Sequence, residues 1–359
     1  MFRLVRHILV LCAIFFAVVV ASAQELVTGV DFDALFDNKE YSSMKFDESG
    51  TLFSARLTPK VGINWAERNE LMFAVDMVQD FGHNSKFLSD VNVQMYYAYR
   101  APRVTAMIGI FNRSEMRGLQ SSLFFDRTYR YYHNTMSGVL ARYQSIKSPT
   151  SYVEFGFDMT GMRAYDVRET FMIMSSGRHA IKWFNFGYDL MVGHYAKDYN
   201  PDTDDGVVDN ILAVPYVGCD IEVGGFDIDV RISYVQSLQR DRHFEDVWCA
   251  PAGGELYAGI SRWGVTLSNR VYCGKGLLTY FNRYGADLYH GSPLYATTEL
   301  WYEAVELSYN RRFFDDTLSL KAGITMEYDG VGWGTRQWIE VGVDLDYRVS
   351  LKRKQQYIE

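Results

Sequence analysis

The sequence is short of the residues that divide a chain into parts. It has 7 prolines and no low-complexity tract or compositional shift that would mark a linker. Its 359 residues exceed the usual soluble-domain prior of roughly 150, yet one closed architecture fits this uniformity better than several domains. Beyond residue 24 there is no apolar run of the about 20 residues a membrane-crossing helix needs, which excludes helical anchoring. Cationic excess is missing too: the formal charge is −8, which argues against a nucleic-acid partner. The histidines show no metal-ligand spacing, and Gly274–Lys275–Gly276 lacks the rest of a phosphate-binding loop. Neither a metal nor a cofactor is expected.

What the chain does have begins with Arg3, Arg6 and His7, then the apolar run "ILVLCAIFFAVVV", then "ASA" before Gln24. This pattern predicts a secretory signal peptide over 1–23. Cys12 lies inside the apolar run after Leu11, so lipid attachment there is not expected. Residues 24–37 read as an N-terminal periplasmic segment, 38–351 as the folded body and 352–359 as a tail.

Aromatic residues make up 16 % of the chain, a β-rich composition. Alternation of period 2 recurs throughout. Phe53, Ala55, Leu57, Val61 and Ile63 alternate with Ser54, Arg56, Thr58, Lys60 and Gly62, and Ile339, Val341, Val343 and Leu345 with Glu340, Gly342, Asp344 and Asp346. Each is a strand with one apolar and one wet face. In "VGCDIEVGGFDIDV" the Gly224-Gly225 pair predicts a two-residue hairpin. It would set Glu222 opposite Asp227 and Asp220 opposite Asp229, like charges that repel unless water reaches them.

Connections alternate between short and long. Short turns fall near 66–69, 100–103, 145–150, 182–183, 224–225, 261–264 and 311–316; longer loops fall at 80–89, 113–135, 161–170, 196–210, 238–253, 273–297 and 329–337. Short periplasmic turns with long outer loops are the habit of outer-membrane barrels. Trp65, Trp183 and Trp263 sit at short turns, and Trp248, Trp301, Trp333 and Trp338 at the opposite strand ends, as two aromatic girdles require. Fifteen strands can be placed from 51 to 351, and an even count needs one more upward strand, expected within 38–47. The fold predicted is all-β, a transmembrane antiparallel up-and-down barrel of about 16 strands, with 14–18 as the range.

With this pattern the chain resembles the porin class of Gram-negative outer-membrane barrels across nearly its whole length. The resemblance implies a passive channel for small hydrophilic solutes or ions, with outer-membrane lipid and the barrel-assembly machinery as partners and a homotrimer as an option. The alternate column of each strand would face the lumen. Lumen-lining candidates are Arg56, Lys60, Asp76, Arg142, Glu154, Asp158, Asp189, Asp220, Glu222, Asp227, Asp229, Arg231, Glu327, Glu340 and Asp344, basic early and acidic late, an arrangement that can select ions.

In porins the loop after the fifth strand folds inward and narrows the pore. Here that loop is 113–135, where Arg113, Arg117, Arg127 and Arg130 outnumber Glu115 and Asp126; a constriction contacting anionic or sugar-like solutes is expected. Cys249 and Cys273 could pair in an oxidising compartment. His290 and Ser292 in "HGSP" share the spacing of outer-membrane phospholipases but lack the Asn-Gly that follows there. No chemistry of its own is therefore expected of the barrel. Two other readings are a non-conducting barrel that binds a partner through its long loops, favoured if 113–135 and 273–297 plug the lumen, and a barrel enzyme, which needs a catalytic cluster at the lipid face.

Overall fold

The computed structural model describes residues 25–82, 85–165, 167–197, 206–297 and 301–351; the signal-peptide and tail expectations lie outside them. Sixteen strands form one closed cylinder in which each strand pairs with its neighbours in sequence and β1 (Glu25–Glu40) pairs with β16 (Trp333–Ser350). Closure leaves no sheet edge, so the ladder itself satisfies the backbone groups of a wall that meets lipid. No described helix is long and apolar enough to cross a membrane.

The barrel begins at Glu25, not near residue 38. The segment "ELVTGVDFDALFDNKE" looks polar because Asp31, Asp33 and Asp37 stand in it, but these share one parity with Val27 and Leu35, which are buried inside. The other parity carries Val30, Phe32 and Phe36 on the outer face. The upward strand that an even count demands is therefore this one.

Outward columns are apolar and exposed, for example Phe53, Leu57 and Val61 on β2 (Gly50–Trp65) and Val217 and Ile221 on β10 (Val208–Val223), as expected where the solvent is hydrocarbon. At the hairpin joining β10 to β11 (Phe226–Asp241), Val223 pairs with Phe226, Glu222 with Asp227 and Asp220 with Asp229. Gly224 and Gly225 have φ of 60° and 77°, a backbone that favours glycine and matches the strand twist.

The interior is not an empty tube. Two long connections turn inward and build an apolar core within the lumen, where Leu119, Leu123, Phe124 and Phe125 of the first pack with Leu277, Leu288, Leu294 and Tyr295 of the second. Wall residues Met136, Leu140, Met174 and Leu212 complete it.

Candidate functional site

The first inward loop follows β5 (Val104–Asn112), which is only 9 residues long, so the chain leaves the wall early. It dips toward the short-turn end, where Glu115 pairs with Arg100 at 2.7 Å and the Arg117 guanidinium donates to the Pro149 carbonyl at 3.1 Å. The Glu154 carboxylate anchors this dip by accepting the backbone N–H of Arg117 and Gly118 (2.9 and 2.6 Å), and Asp189 accepts that of Leu119 at 2.9 Å. The loop then climbs to the short helix α1 (Arg127–Tyr132), capped by Asp126, whose side chain accepts from Tyr129 N–H.

From α1 the loop reaches the far wall. Arg127 lies 3.6 Å over the Trp338 ring, bonds Glu340 at 2.7 Å and stands 3.7 Å from Glu306. Arg56, itself paired with Asp76, bonds the Tyr131 carbonyl, and the Tyr132 hydroxyl donates to Asp80 at 2.5 Å. Arg113 pairs with Asp158 at 2.7 Å and lies over Phe125. Arg130 is spent on the carbonyls of Leu119 and Phe125. Burial and Arg113 push Arg130 down to about 10.

The second loop, 275–297, carries helix α2 (Phe281–Leu288) and is pinned to the opposite side of the lumen. Tyr289 donates to Gln239 at 2.7 Å, Tyr284 to Asp241 at 2.6 Å and Tyr295 to Glu255 at 2.6 Å. The loops are bonded to each other: Asp126 N–H donates to the His290 carbonyl at 2.9 Å and Ser292 N–H to the Ser122 carbonyl at 2.7 Å. His290 stacks on Tyr129 with ring centroids 4.4 Å apart, and His133 packs tilted against the same ring at 4.6 Å. Burial depresses both imidazoles, His290 to about 4 with Arg113 and His133 adding to the effect. Above this plug, toward the long loops, lies a vestibule of 1260 Å³; at the opposite mouth Asp220, Glu222, Asp227 and Asp229 line a separate recess of 490 Å³.

The expected lumen residues have the inward parity, but the plug divides them. Arg56, Asp76, Arg142, Glu154, Asp158 and Glu327 are buried under loops, while Asp220 and Asp227 near the short-turn end are exposed. The base beside Asp220 is Arg178, reaching across from β8 (Thr170–Ile181) two strands away, whereas Arg231 lies over Tyr216 at 4.4 Å. Trp338 does not belong to a girdle: it is buried in the lumen beneath Arg127, because it shares parity with Glu340. Trp301 and Trp333 do flank Tyr328, with ring centroids 5.3 and 5.1 Å away. The disulfide is absent. Cys249 and Cys273 are free, Cys249 being near the Tyr280 hydroxyl at the lumen side while Cys273 stands exposed opposite Trp301. His290 and Ser292 form no catalytic pair, since Ser292 Oγ caps Leu294 N–H and His290 is stacked on Tyr129. Among the described residues no group of His, Cys, Asp or Glu could hold a metal ion.

One polar pair on the outer face was not anticipated. On β14 (Trp301–Phe313) Trp301, Glu303, Val305 and Leu307 share the outward column, and Asn269 Nδ2 of β13 (Val265–Gly274) donates to Glu303 Oε1 at 2.9 Å. Glu303 pairs with Val271 on one side and with Tyr328 on the other, just below the Trp301–Tyr328–Trp333 girdle. Its signal in the sequence is a carboxylate in the parity of Val305 and Leu307. An ionisable side chain on a lipid-facing column is costly and marks function by default.

Comparison with solved structures places the fold. The barrel is similar to the outer membrane protein opdK of Pseudomonas aeruginosa (TM-score 0.51, 10 % identity, 90 % of this chain and 99 % of that one). It is similar also to Salmonella typhi OmpF in complex with daunomycin (TM-score 0.50, 11 % identity, 91 % and 99 %). The fold is thus that of a 16-strand barrel with the porin architecture. No curated protein matches the sequence. A family model does match, that of the lipid A 3'-O-deacylase type, over residues 19–331. The match overturns the expectation of a barrel without chemistry, since the family is one of enzymes: the chain belongs to the lipid A 3'-O-deacylase-type family.

Proposed function

We propose that the protein is an outer-membrane hydrolase that removes an ester-linked acyl chain from a lipid A-type glycolipid, water adding to the ester carbonyl to release a fatty acid and leave the sugar hydroxyl. The observation that carries this reading is the family match, which runs from the N-terminal side of β1 through β15 (Leu318–Tyr328) and includes both inward loops. The plugged lumen supports it, because a barrel filled by its own side chains serves better as a rigid scaffold than as a passage for solutes.

The Asn269–Glu303 pair gives the reaction a place. A membrane-embedded ester reaches the wall from the lipid side, near the girdle of Trp301, Tyr328 and Trp333, and Glu303 is the carboxylate positioned there to take a proton from the attacking water. Asn269 orients it through the 2.9 Å hydrogen bond. The test is mass spectrometry of lipid A from a Gram-negative host that lacks such an activity. Expression of the protein should remove one acyl chain, and Glu303→Gln should lower that conversion by about 10²–10⁴-fold. Unchanged lipid A with correctly folded wild-type protein would sink the reading.

A channel for small hydrophilic solutes is the second reading. It is favoured by the 16-strand size, wide enough for an aqueous lumen, and by the acidic recess at the short-turn mouth. Stable single-channel conductance in planar bilayers would support it, with the sign of the reversal potential in a salt gradient reporting its selectivity.

A further inference from the structure

We infer that the vestibule above the plug is a binding site for an uncharged oligosaccharide taken from the medium on the long-loop side. Its 1260 Å³ exceeds what an ion or a single small metabolite fills, and lies just beyond the roughly 300–1,000 Å³ of ordinary ligand pockets. The walls combine rings with polar groups. Phe46, Tyr132 and Phe281 supply flat apolar surface, while Thr128, Tyr129 and Asn282 bring a hydroxyl, a phenol and an amide to the same lining. Pyranose rings offer the matching chemistry, an apolar face of C–H groups for aromatic contact and a rim of hydroxyls that both donate and accept.

Charge decides between sugar classes. Lys39, Lys45 and Lys275 are balanced by Asp47, Glu48 and Asp126 around the cavity, and Lys39 is paired directly with Asp47 at 2.8 Å. The two imidazoles at the floor are held neutral at pH 7 by burial. No net field of either sign favours an anionic or cationic ligand. The floor is also pre-formed: the two loops are cross-linked through backbone hydrogen bonds, so little ordering accompanies binding.

The inference does not rest on the deacylation reading, since Glu303 lies on the outer face of the wall. The test is retention of the purified full-length barrel on an array of uncharged, phosphorylated and sulfated glycans, with Thr128→Trp and Asn282→Trp as variants that fill the cavity. Heat-modifiable gel migration confirms that each variant is folded. The expected result is retention on uncharged glycans that falls at least about tenfold in both Trp variants. Retention on no uncharged glycan, equal retention by the Trp variants, or preference for the phosphorylated or sulfated glycans would each overturn it. Glycan retention that survives in Glu303→Gln while deacylation is lost separates this site from the hydrolytic one.

Discussion

Arg127, at the start of α1, holds the first loop against the far wall through a ring and two carboxylates. Arg127→Glu would set three carboxylates together and remove the cation from Trp338, a local cost on the order of 2–3 kcal/mol. The expected outcome is a rise in single-channel current in planar bilayers relative to wild type. Arg117→Glu should change the current less, because Glu154 grips that residue by its backbone N–H. His290 gives a pH effect whose sign is fixed. Its folded value, about 4, lies below the ordinary 6.5, so the unfolded loop binds more protons between those limits. Its contribution is complete above pH 6.5 and is lost as pH falls toward 4, by up to about 1.4 kcal/mol per pH unit. Protection factors of the amides in 281–292, taken relative to the intrinsic exchange rate at each pH, should therefore fall from pH 7 to about pH 4.5, and His290→Phe should flatten that difference. At this scale strand parity was legible and partners were not. The alternation that put Glu340 inside also puts Trp338 inside, but nothing along the chain said that Arg127, more than 200 positions away, would cover it.

At the scale of elements, turns and strands declare themselves through local chemistry. Gly224 and Gly225 both sit at positive φ, and Gly225→Val should strain the β10–β11 hairpin by about 1–2 kcal/mol. The measurement is the temperature at which the folded gel band is lost, expected to drop without loss of the plug contacts. Gly291 is a different case, since its φ is ordinary but a Cβ there would stand 1.9 Å from the Leu123 carbonyl oxygen. Gly291→Ala should push the two loops apart while the barrel stays closed, so limited proteolysis should cut within 119–126 and 286–294 in the variant and spare wild type. Such loop-to-loop contacts carry no periodicity, which is why the sequence indicates that 113–135 turns inward only through the family resemblance, and why 273–297 enters there as a long loop that plugs the lumen only under the partner-binding reading. The Cys249–Cys273 expectation failed for a related reason: spacing along the chain said the two were one hairpin apart, but not that the wall would stand between them.

For the whole molecule, the closed antiparallel barrel was legible because its physics is repetitive: alternate residues meet lipid, every connection joins neighbours, and the two ends differ in loop length. The missing first strand was required by the even count and misplaced only because three aspartates made β1 look like a polar leader. The enzyme family was not legible, since a single carboxylate in an outward column does not stand out among so many inward ones. If the plug closes the lumen, wild-type conductance should be low, and deletion of 277–294 combined with Arg127→Glu should raise it several-fold in the same bilayer measurement, whereas equal currents would mean that water already bypasses the loops.

The plug also sets a timetable. Its first half is made early in synthesis, yet it is fastened to Glu306 and Glu340 in β14 and β16 and to a second loop that follows β13. Those partners are among the last parts of the chain to be made, and the seam between β1 and β16 closes only then. The seam and the plug therefore draw on the same C-terminal strands, so the contacts that complete the wall and those that lock the interior stand or fall together.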